Sequence, residues 1–430
     1  RDKYDEYPVF PDQFKTSMDF ELCSNEFSVM EFCSADTEWG YVHERLFQLC
    51  YPEFQNVGQI KGNNVQRLSF VASYIFLMQY LTQHEAFPRV TLYKDVEVEV
   101  KDVDMVVDIG NSRTTALLIE DNRNFNQVRQ LELTDYTDLF VHTDEGLVVN
   151  RYQESFDMRL AFRKVDFGQF GFRDSRQFVY PSLVRLGREA EHLIHRATNS
   201  LDNEETLSTY SSPKRYLWDD KPSKEEWKYL ILPGEKDDHV LYLRGITNQL
   251  KSDGRVDAEG NGGHSFHYSR RSLMTLAFLE MLVQAHTQLN GEKHRSSRYG
   301  LGRPDMPRRV KRIIVTCPTA MSRVEREALV KCAKDAVTLL DNFQYNQATD
   351  GPRPERKVEV IPAMRKKNDE EGGTWYYDEA TCAQLVYMYG EVGHKYKGHC
   401  SEFFKLYGKI EPGSMQHSLT VGSLDIGAGT

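Results

Sequence analysis

The stretch VDIGNSRTT, Val107 to Thr115, constrains this chain most, because its motif returns as LDIGAGT, Leu424 to Thr430. Each copy is an apolar run that ends in Asp-Ile-Gly and continues into small residues and Thr. A β-branched run favours a strand, and Gly directly after it marks a turn. Gly110 is expected to take a positive φ and to let the backbone approach a ligand closely. Successive N–H groups in such a turn form a concavity for phosphate oxygens, and a strand-end Asp is placed to hold water on a divalent cation. One copy alone is compatible with an ordinary hairpin turn. Two copies imply two phosphate-gripping turns facing one polyphosphate, with Asp108 and Asp425 sharing one Mg²⁺.

The surrounding sequence reads as an α/β domain. VDMVVDIG, the turn GNSR and TTALLIED form an expected β-hairpin, and NQVRQLELT is a candidate third strand. RQFVYPSLVRLG reads as a strand with Pro181 at its edge. Residues from about 191 to 265 are polar and charged, as in an elaborated subdomain with long loops. Their stretch SDGRVDAEGNGG lacks the acidic spacing and closing Glu of a calcium loop and reads as a linker. YSRRSLMTLAFLEMLVQAHTQLNG predicts a helix that Ser269 can cap and Asn290-Gly291 ends. IIVTCP is an expected buried strand, and the Ser322–Glu325 capping box opens the helix SRVEREALVKCAKDAV. KVEVIP, YDEATCAQLVYMYGEV and SLTVGSLDIGAGT continue the order as strand, helix and strand. Alternation of this kind implies parallel pairing.

Bulk properties exclude several classes. The 430 residues suffice for two or three cores, and 27% charged residues suit a globular chain rather than a disordered one. A net charge of −10 argues against a general grip on nucleic acid, although backbone N–H groups and a metal ion can still hold a nucleotide. Seven cysteines without a Cys-x-x-Cys pair read as reduced thiols in the cytoplasm. The longest apolar run, Leu68 to Leu81, is too short to span a bilayer and reads as a buried helix. The chain opens on Arg1 without a signal-peptide pattern and reads as a piece of something longer.

The order of these motifs resembles the superfamily of actin, the heat-shock chaperone ATPases and the sugar kinases. VVDIGNSRTTALLIE is similar to its first phosphate motif and GSLDIGAGT to its second. RIIVTCPTAMSRVEREALVKCAKDA resembles the chaperone connecting segment, and YDEATCAQLVYMYG the segment before the second phosphate motif. FVYPSLVRLG and SSPKRYLWD resemble the chaperone stretch from Pro-Ser to Lys-Arg-Leu. Within the superfamily, the acidic helix and DIGNSRTT are most similar to the bacterial virulence-factor family called SrfB.

The resemblance implies an actin-like ATPase lobe with a ribonuclease H-like sheet. Residues 1–100 would be a family-specific region, and 101–418 the first lobe, with an inserted α+β subdomain at about 150–265. Residues 419–430 would start a truncated second lobe, leaving the adenosine-binding half beyond Thr430. ATP and Mg²⁺ are the implied cofactors, with a protein partner that the sequence does not identify. Asp108 and Asp425 would hold the metal. Gly110, Asn111, Ser112 and Arg113 would contact phosphates from one side, and Gly427, Ala428, Gly429 and Thr430 from the other. Glu379 would orient the attacking water, completing a catalytic set of Asp108, Glu379 and Asp425.

Three departures qualify the activity. The superfamily's small Thr pair after the first Gly is Asn111-Ser112 here, followed by a bulky Arg113, which either reaches a phosphate or points to solvent. The position of the chaperones' catalytic Lys falls near Glu191; Lys214 and Arg215 are candidates for that charge, but an exposed structural pair is the preferred reading of them. The Pro of the superfamily's Glu-Pro-Thr segment is absent from EATCAQ. Slow hydrolysis, or binding without hydrolysis, follows as an expectation. The alternatives are a non-catalytic nucleotide-binding or virulence-associated interaction protein on the same fold, and a small-molecule kinase of the sugar-kinase type. His192 and His195, one helical turn apart, lack further zinc ligands and read as surface histidines.

Overall fold

The computed structural model describes residues 100–120, 128–143, 146–163, 182–199, 208–224, 249–257, 267–291, 307–346, 358–362, 378–410 and 415–422, with positions 166–167, 178–179, 227, 294 and 412–413 between them. The chain divides into two compact units. The first, Arg1–Val90 with His142–Val149 and Gly291–Lys293, lies mostly outside the described residues, as do the expected helix at 68–81 and the whole second Asp-Ile-Gly motif. The second unit, Thr91–Val141 with Asn150–Asn290 and His294–Thr430, carries the first Asp-Ile-Gly motif.

The main sheet of this second unit is mixed. Strand β1 (Lys101–Ile109) pairs antiparallel with β2 (Arg113–Ile119), and β2 with β3 (Val128–Gln130). On its other side β1 pairs in parallel with β4 (Arg308–Val315), which pairs in parallel with β5 (Glu359–Ile361). The spatial order is therefore β5-β4-β1-β2-β3, and Phe156–Asp157 adds a short strand against the start of β2.

Period-two alternation explains which face is inside. In β1, Val103, Met105, Val107 and Ile109 are buried, while Asp102, Asp104 and Asp108 alternate with them on the other face. That outer face is neutralised across the parallel pair: Asp102 accepts from Arg309 and Lys311, and Asp104 from Arg312. Burial alone would raise the Asp102 carboxyl, but its hydrogen bonds and charge contacts with Lys311 and Arg309 together draw it below its ordinary value. A register shift between Val103 and Asp104 leaves Lys311 as an extra residue in β4. The bulge changes the phase of β4, so its buried apolar residues are Val310, then Ile313 and Val315.

Helix α1 (Gly187–Asn199) follows the strand Val184–Leu186 and packs on Arg159–Phe162. Helix α2 (Ser272–Asn290) is buried on nearly every face, as a central helix between the sheet and α3 (Arg323–Asn346) must be. The turn before α2 forms at Ser269, whose carbonyl accepts from Ser272. In α3 the buried apolar residues, Leu329, Val330, Cys332, Ala333, Ala336, Leu339 and Leu340, form a stripe at helical spacing. The expected Ser322–Glu325 capping box forms: the Glu325 carboxylate accepts from the Ser322 N–H and hydroxyl.

A polar stripe runs through the apolar body of α2. Gln288 accepts from the Glu132 N–H at 2.8 Å and donates to the Gln130 carbonyl at 2.9 Å. One turn earlier, Gln284 accepts from the Thr134 N–H at 3.0 Å and donates to its carbonyl at 3.1 Å. Side-chain amides thus complete the hydrogen bonding of residues 130–134, which a neighbouring strand would otherwise do. Gln284→Leu should therefore strand a buried N–H and carbonyl and destabilise the fold by about 2–4 kcal/mol. Chemical denaturation of the variant beside the parent measures this.

Candidate active site

The β1–β2 turn is tight. The Gly110 N–H donates to the Arg113 carbonyl at 2.9 Å. Gly110 does not have a positive φ, so the expected reason for glycine is replaced by another. A Cβ at this position would lie 2.4 Å from the Arg113 carbonyl oxygen and hold the turn open. From outside, the Met158 N–H donates to the Ser112 carbonyl at 2.7 Å, and the Thr115 and Ser155 hydroxyls meet at 2.6 Å. Arg113 points to solvent: it is 74% exposed and ion-paired with Asp157.

Parallel pairing brings the ends of β1 and β4 out at one sheet edge, where ligands of open α/β sheets bind. There the Thr316 N–H donates to the Val107 carbonyl, and the Thr316 hydroxyl donates to Asp108 Oδ1 at 2.6 Å. Asp108 is otherwise exposed. The next carbonyl, Cys317, accepts from the Glu379 N–H at 3.0 Å. Glu379 is the first residue of helix α4 (Glu379–Met388), whose cap Asp378 accepts from the Thr381 N–H at 2.8 Å and from the Thr319 hydroxyl. Those hydrogen bonds hold the Asp378 carboxyl below its ordinary value.

Lys214 completes the group. Its Nζ donates to the Ile109 carbonyl at 2.6 Å and lies 3.4 Å from Glu379 Oε1, and its side chain is only 8% exposed. It sits on the 3₁₀ turn Pro213–Tyr216, entered through Ser212 in the left-handed region. Arg271 and Arg270, just ahead of α2, clamp that turn through the Leu217 carbonyl and the Asp219 carboxylate. The thiol of Cys317, close to the lysine, is pushed up by burial and by Glu379, with Lys214 opposing.

The family model for virulence factor SrfB matches residues 7–430. The chain belongs to the SrfB family. No curated protein matches the sequence. Among the described residues, no helix is long and apolar enough to cross a membrane.

Of the residues expected from the sequence, the structure of this SrfB-family chain brings Asp108, Gly110 and Glu379 to one edge, with Asn111 and Ser112 in the adjoining turn. Asp425, Gly427, Ala428, Gly429 and Thr430 lie outside the described residues. The preferred reading of Lys214 and Arg215 as an exposed pair is corrected: Arg215 is exposed, but Lys214 turns inward to the site. Thr316 was not anticipated. Its signal is a hydroxyl residue immediately after the strand IIV, where parallel strands end together.

A second cluster lies on α1. Asp135, Asp138 and His192 bring ligand-type atoms within 4.8 Å of one another, without His195. Their oxygens are already committed. Asp135 accepts from the Thr137 and Asp138 N–H groups and from Tyr152, and Asp138 pairs with Arg196. The cluster is saturated by protein donors and does not read as a metal centre.

Gly110→Ala should open the turn and lower stability by about 1–3 kcal/mol, a range typical of single substitutions with a named steric cause. A shift of the denaturation midpoint without a change of slope checks it.

Proposed function

We propose that this chain binds Mg²⁺-ATP as the first lobe of an actin-like, chaperone-related ATPase, and that slow hydrolysis drives a conformational signal to a protein partner. The observation that carries this reading is the buried Lys214 ammonium, held between the turn carbonyl of Ile109 and the Glu379 carboxylate beside Asp108. It supplies a cation where the superfamily pattern, aligned on the sequence alone, leaves Glu191. The sheet order β5-β4-β1-β2-β3, with an antiparallel hairpin followed by parallel strands, supports the ribonuclease H-like reading of the fold.

The donor set suits the cofactor. Asp108 offers a hard carboxylate whose inner oxygen is fixed by Thr316, and Mg²⁺ prefers such oxygens together with water and phosphate. Asp108, with Asp425 from the second motif, would hold the ion, which supplies charge neutralisation at the phosphate oxygens. An ammonium has three donors. Lys214 directs two at Ile109 and Glu379, and the third would be left for a phosphate oxygen. Glu379 is kept in place by its N–H bond to Cys317 and by Lys214, and there it would orient a water for in-line attack. Catalysis of this kind rests on positioning and electrostatics rather than on covalent chemistry.

A second reading, a non-catalytic interaction protein, is favoured by α4 itself. Beyond Glu379 it exposes Leu385, Val386 and Tyr387, with Tyr389 following, a run of apolar side chains suited to a protein contact.

Calorimetric titration with Mg²⁺-ATP and phosphate-release assays separate the two. Asp108→Asn should weaken binding about tenfold or more. Lys214→Ala should reduce turnover about 10²–10³-fold, as loss of a positioned charge-stabilising donor does. Binding without turnover in the parent chain would select the second reading. Equal affinity and turnover in the parent and both variants would overturn the proposed site.

A further inference from the structure

The junction of α1 with residues 135–138 buries more negative charge than its cations can balance. Asp135 is completely buried, and the Glu189 and Glu280 side chains are nearly so. Among the described residues, the buried cation beside them is Arg185. Its guanidinium is spent largely elsewhere: Nη1 donates to Glu280 Oε2 at 2.9 Å and to the Val184 carbonyl, and Nη2 reaches the Ser182 carbonyl. Glu189 forms an ion pair with Arg185 Nε at 3.7 Å, too long for a hydrogen bond, so one guanidinium faces two buried glutamates.

Asp135 and Glu189 also share a donor. The Thr137 N–H donates to Asp135 Oδ1 at 3.0 Å and to Glu189 Oε1 at 2.9 Å, so two carboxyl groups crowd one hydrogen. The Thr137 hydroxyl adds a bond to Glu189 at 2.7 Å. Like charges this close, removed from water, do not both ionise freely. We propose that Glu189 stays protonated at neutral pH and that this proton makes the junction of α1 with residues 135–138 a latch that alkali releases.

The groups facing Glu189 agree. From its own side come Arg185 and, one turn along α1, His192, whose Nδ1 lies 3.6 Å from Asp135. From α2 comes Glu280, whose other oxygen accepts from Gln284. From the loop come Asp135, the partly buried Tyr136 and Asp138, the last paired with Arg196; Tyr152 donates to Asp135. Burial pushes the Glu189 carboxyl up to about 8, with Asp135 and Glu280 adding to the effect and Arg185 and Thr137 opposing it. Glu189 therefore binds its proton more tightly in the folded chain than in the unfolded one, where the ordinary value is 4.5. The latch contributes fully below the unfolded value and is lost as pH rises through about 8.

Chemical denaturation of the full chain between pH 5 and 9 tests this. For one proton, the folding constant should fall about tenfold per pH unit across this window up to about pH 8. Glu189→Gln should remove that slope, and His192→Asn should retain it. If Glu189→Gln does not fold, ¹³C-carboxyl labelling of glutamate in the parent chain decides, because one glutamate signal should titrate near pH 8 in the native state. The proposal is overturned if parent and Glu189→Gln share the same slope, or if every native glutamate signal titrates in the ordinary carboxylate range.

Discussion

The parallel pairing of β1 with β4 is the constraint on which the described unit depends. Parallel neighbours cannot be joined by a tight turn, so the chain must leave the sheet and return through a long crossover. Here the crossover contains α1, the 3₁₀ turn that carries Lys214, and α2. The pairing registers Val107 opposite Val315, which sets Asp108 beside Thr316, 208 residues away in sequence. It also aligns the β4 exit with the start of α4, through the hydrogen bond from Glu379 to Cys317. The site is thus a property of sheet register. A one-residue slip would turn the core face of β1 outward and separate Asp108 from its hydroxyl partner.

That long crossover needs a rigid centre, and α2 provides it by an unusual use of polar side chains. Its buried apolar surface packs on the sheet and on α3, while Glu280, Gln284 and Gln288 recur every four residues along one line. Two of the three satisfy the backbone of residues 130–134, and the third holds Arg185. A half-satisfied network of this depth would be worse than an apolar core, because each orphaned group would lose its hydration without compensation. The same helix therefore fixes the loop at 135–138 on one side and, through Arg270 and Arg271 just ahead of it, clamps the Lys214 turn on the other.

Much of this was legible where a local rule has one outcome. The hairpin around Gly110, the Ser322–Glu325 box and the helix ending at Asn290 follow from turn chemistry and capping. Lys214 was not legible, because in Pro-Lys-Arg-Tyr two adjacent cations look alike and only the geometry of the 3₁₀ turn decides which faces inward. Ser212 in the left-handed region sets that geometry, a state that side-chain chemistry alone does not announce. The start of β4 was hidden for a related reason: only IIVTCP reads as a strand in the sequence, whereas β4 begins at Arg308, and the change of phase at Lys311 shows only against the partner strand. The role of Gly110 was misassigned because a close approach by the Arg113 carbonyl and a positive φ leave the same residue in the sequence.

The electrostatics of the edge give the arrangement its direction. Burying an ammonium is unfavourable unless acceptors and counter-charge meet it, and Lys214 meets a carbonyl and one carboxylate. It does not spend its charge on Asp108, whose inner oxygen is held by a neutral hydroxyl instead. A hydroxyl orients a carboxylate without neutralising it. Among the described residues, no cation pairs with Asp108 at the exposed end of β1, while the Lys214 ammonium stands beside Glu379. Separated charges of this kind, Asp108 at a strand end and Lys214 on a clamped 3₁₀ turn, leave a field across the sheet edge. A directly paired Lys–Asp bridge at the same place would have cancelled the field and left only a structural contact.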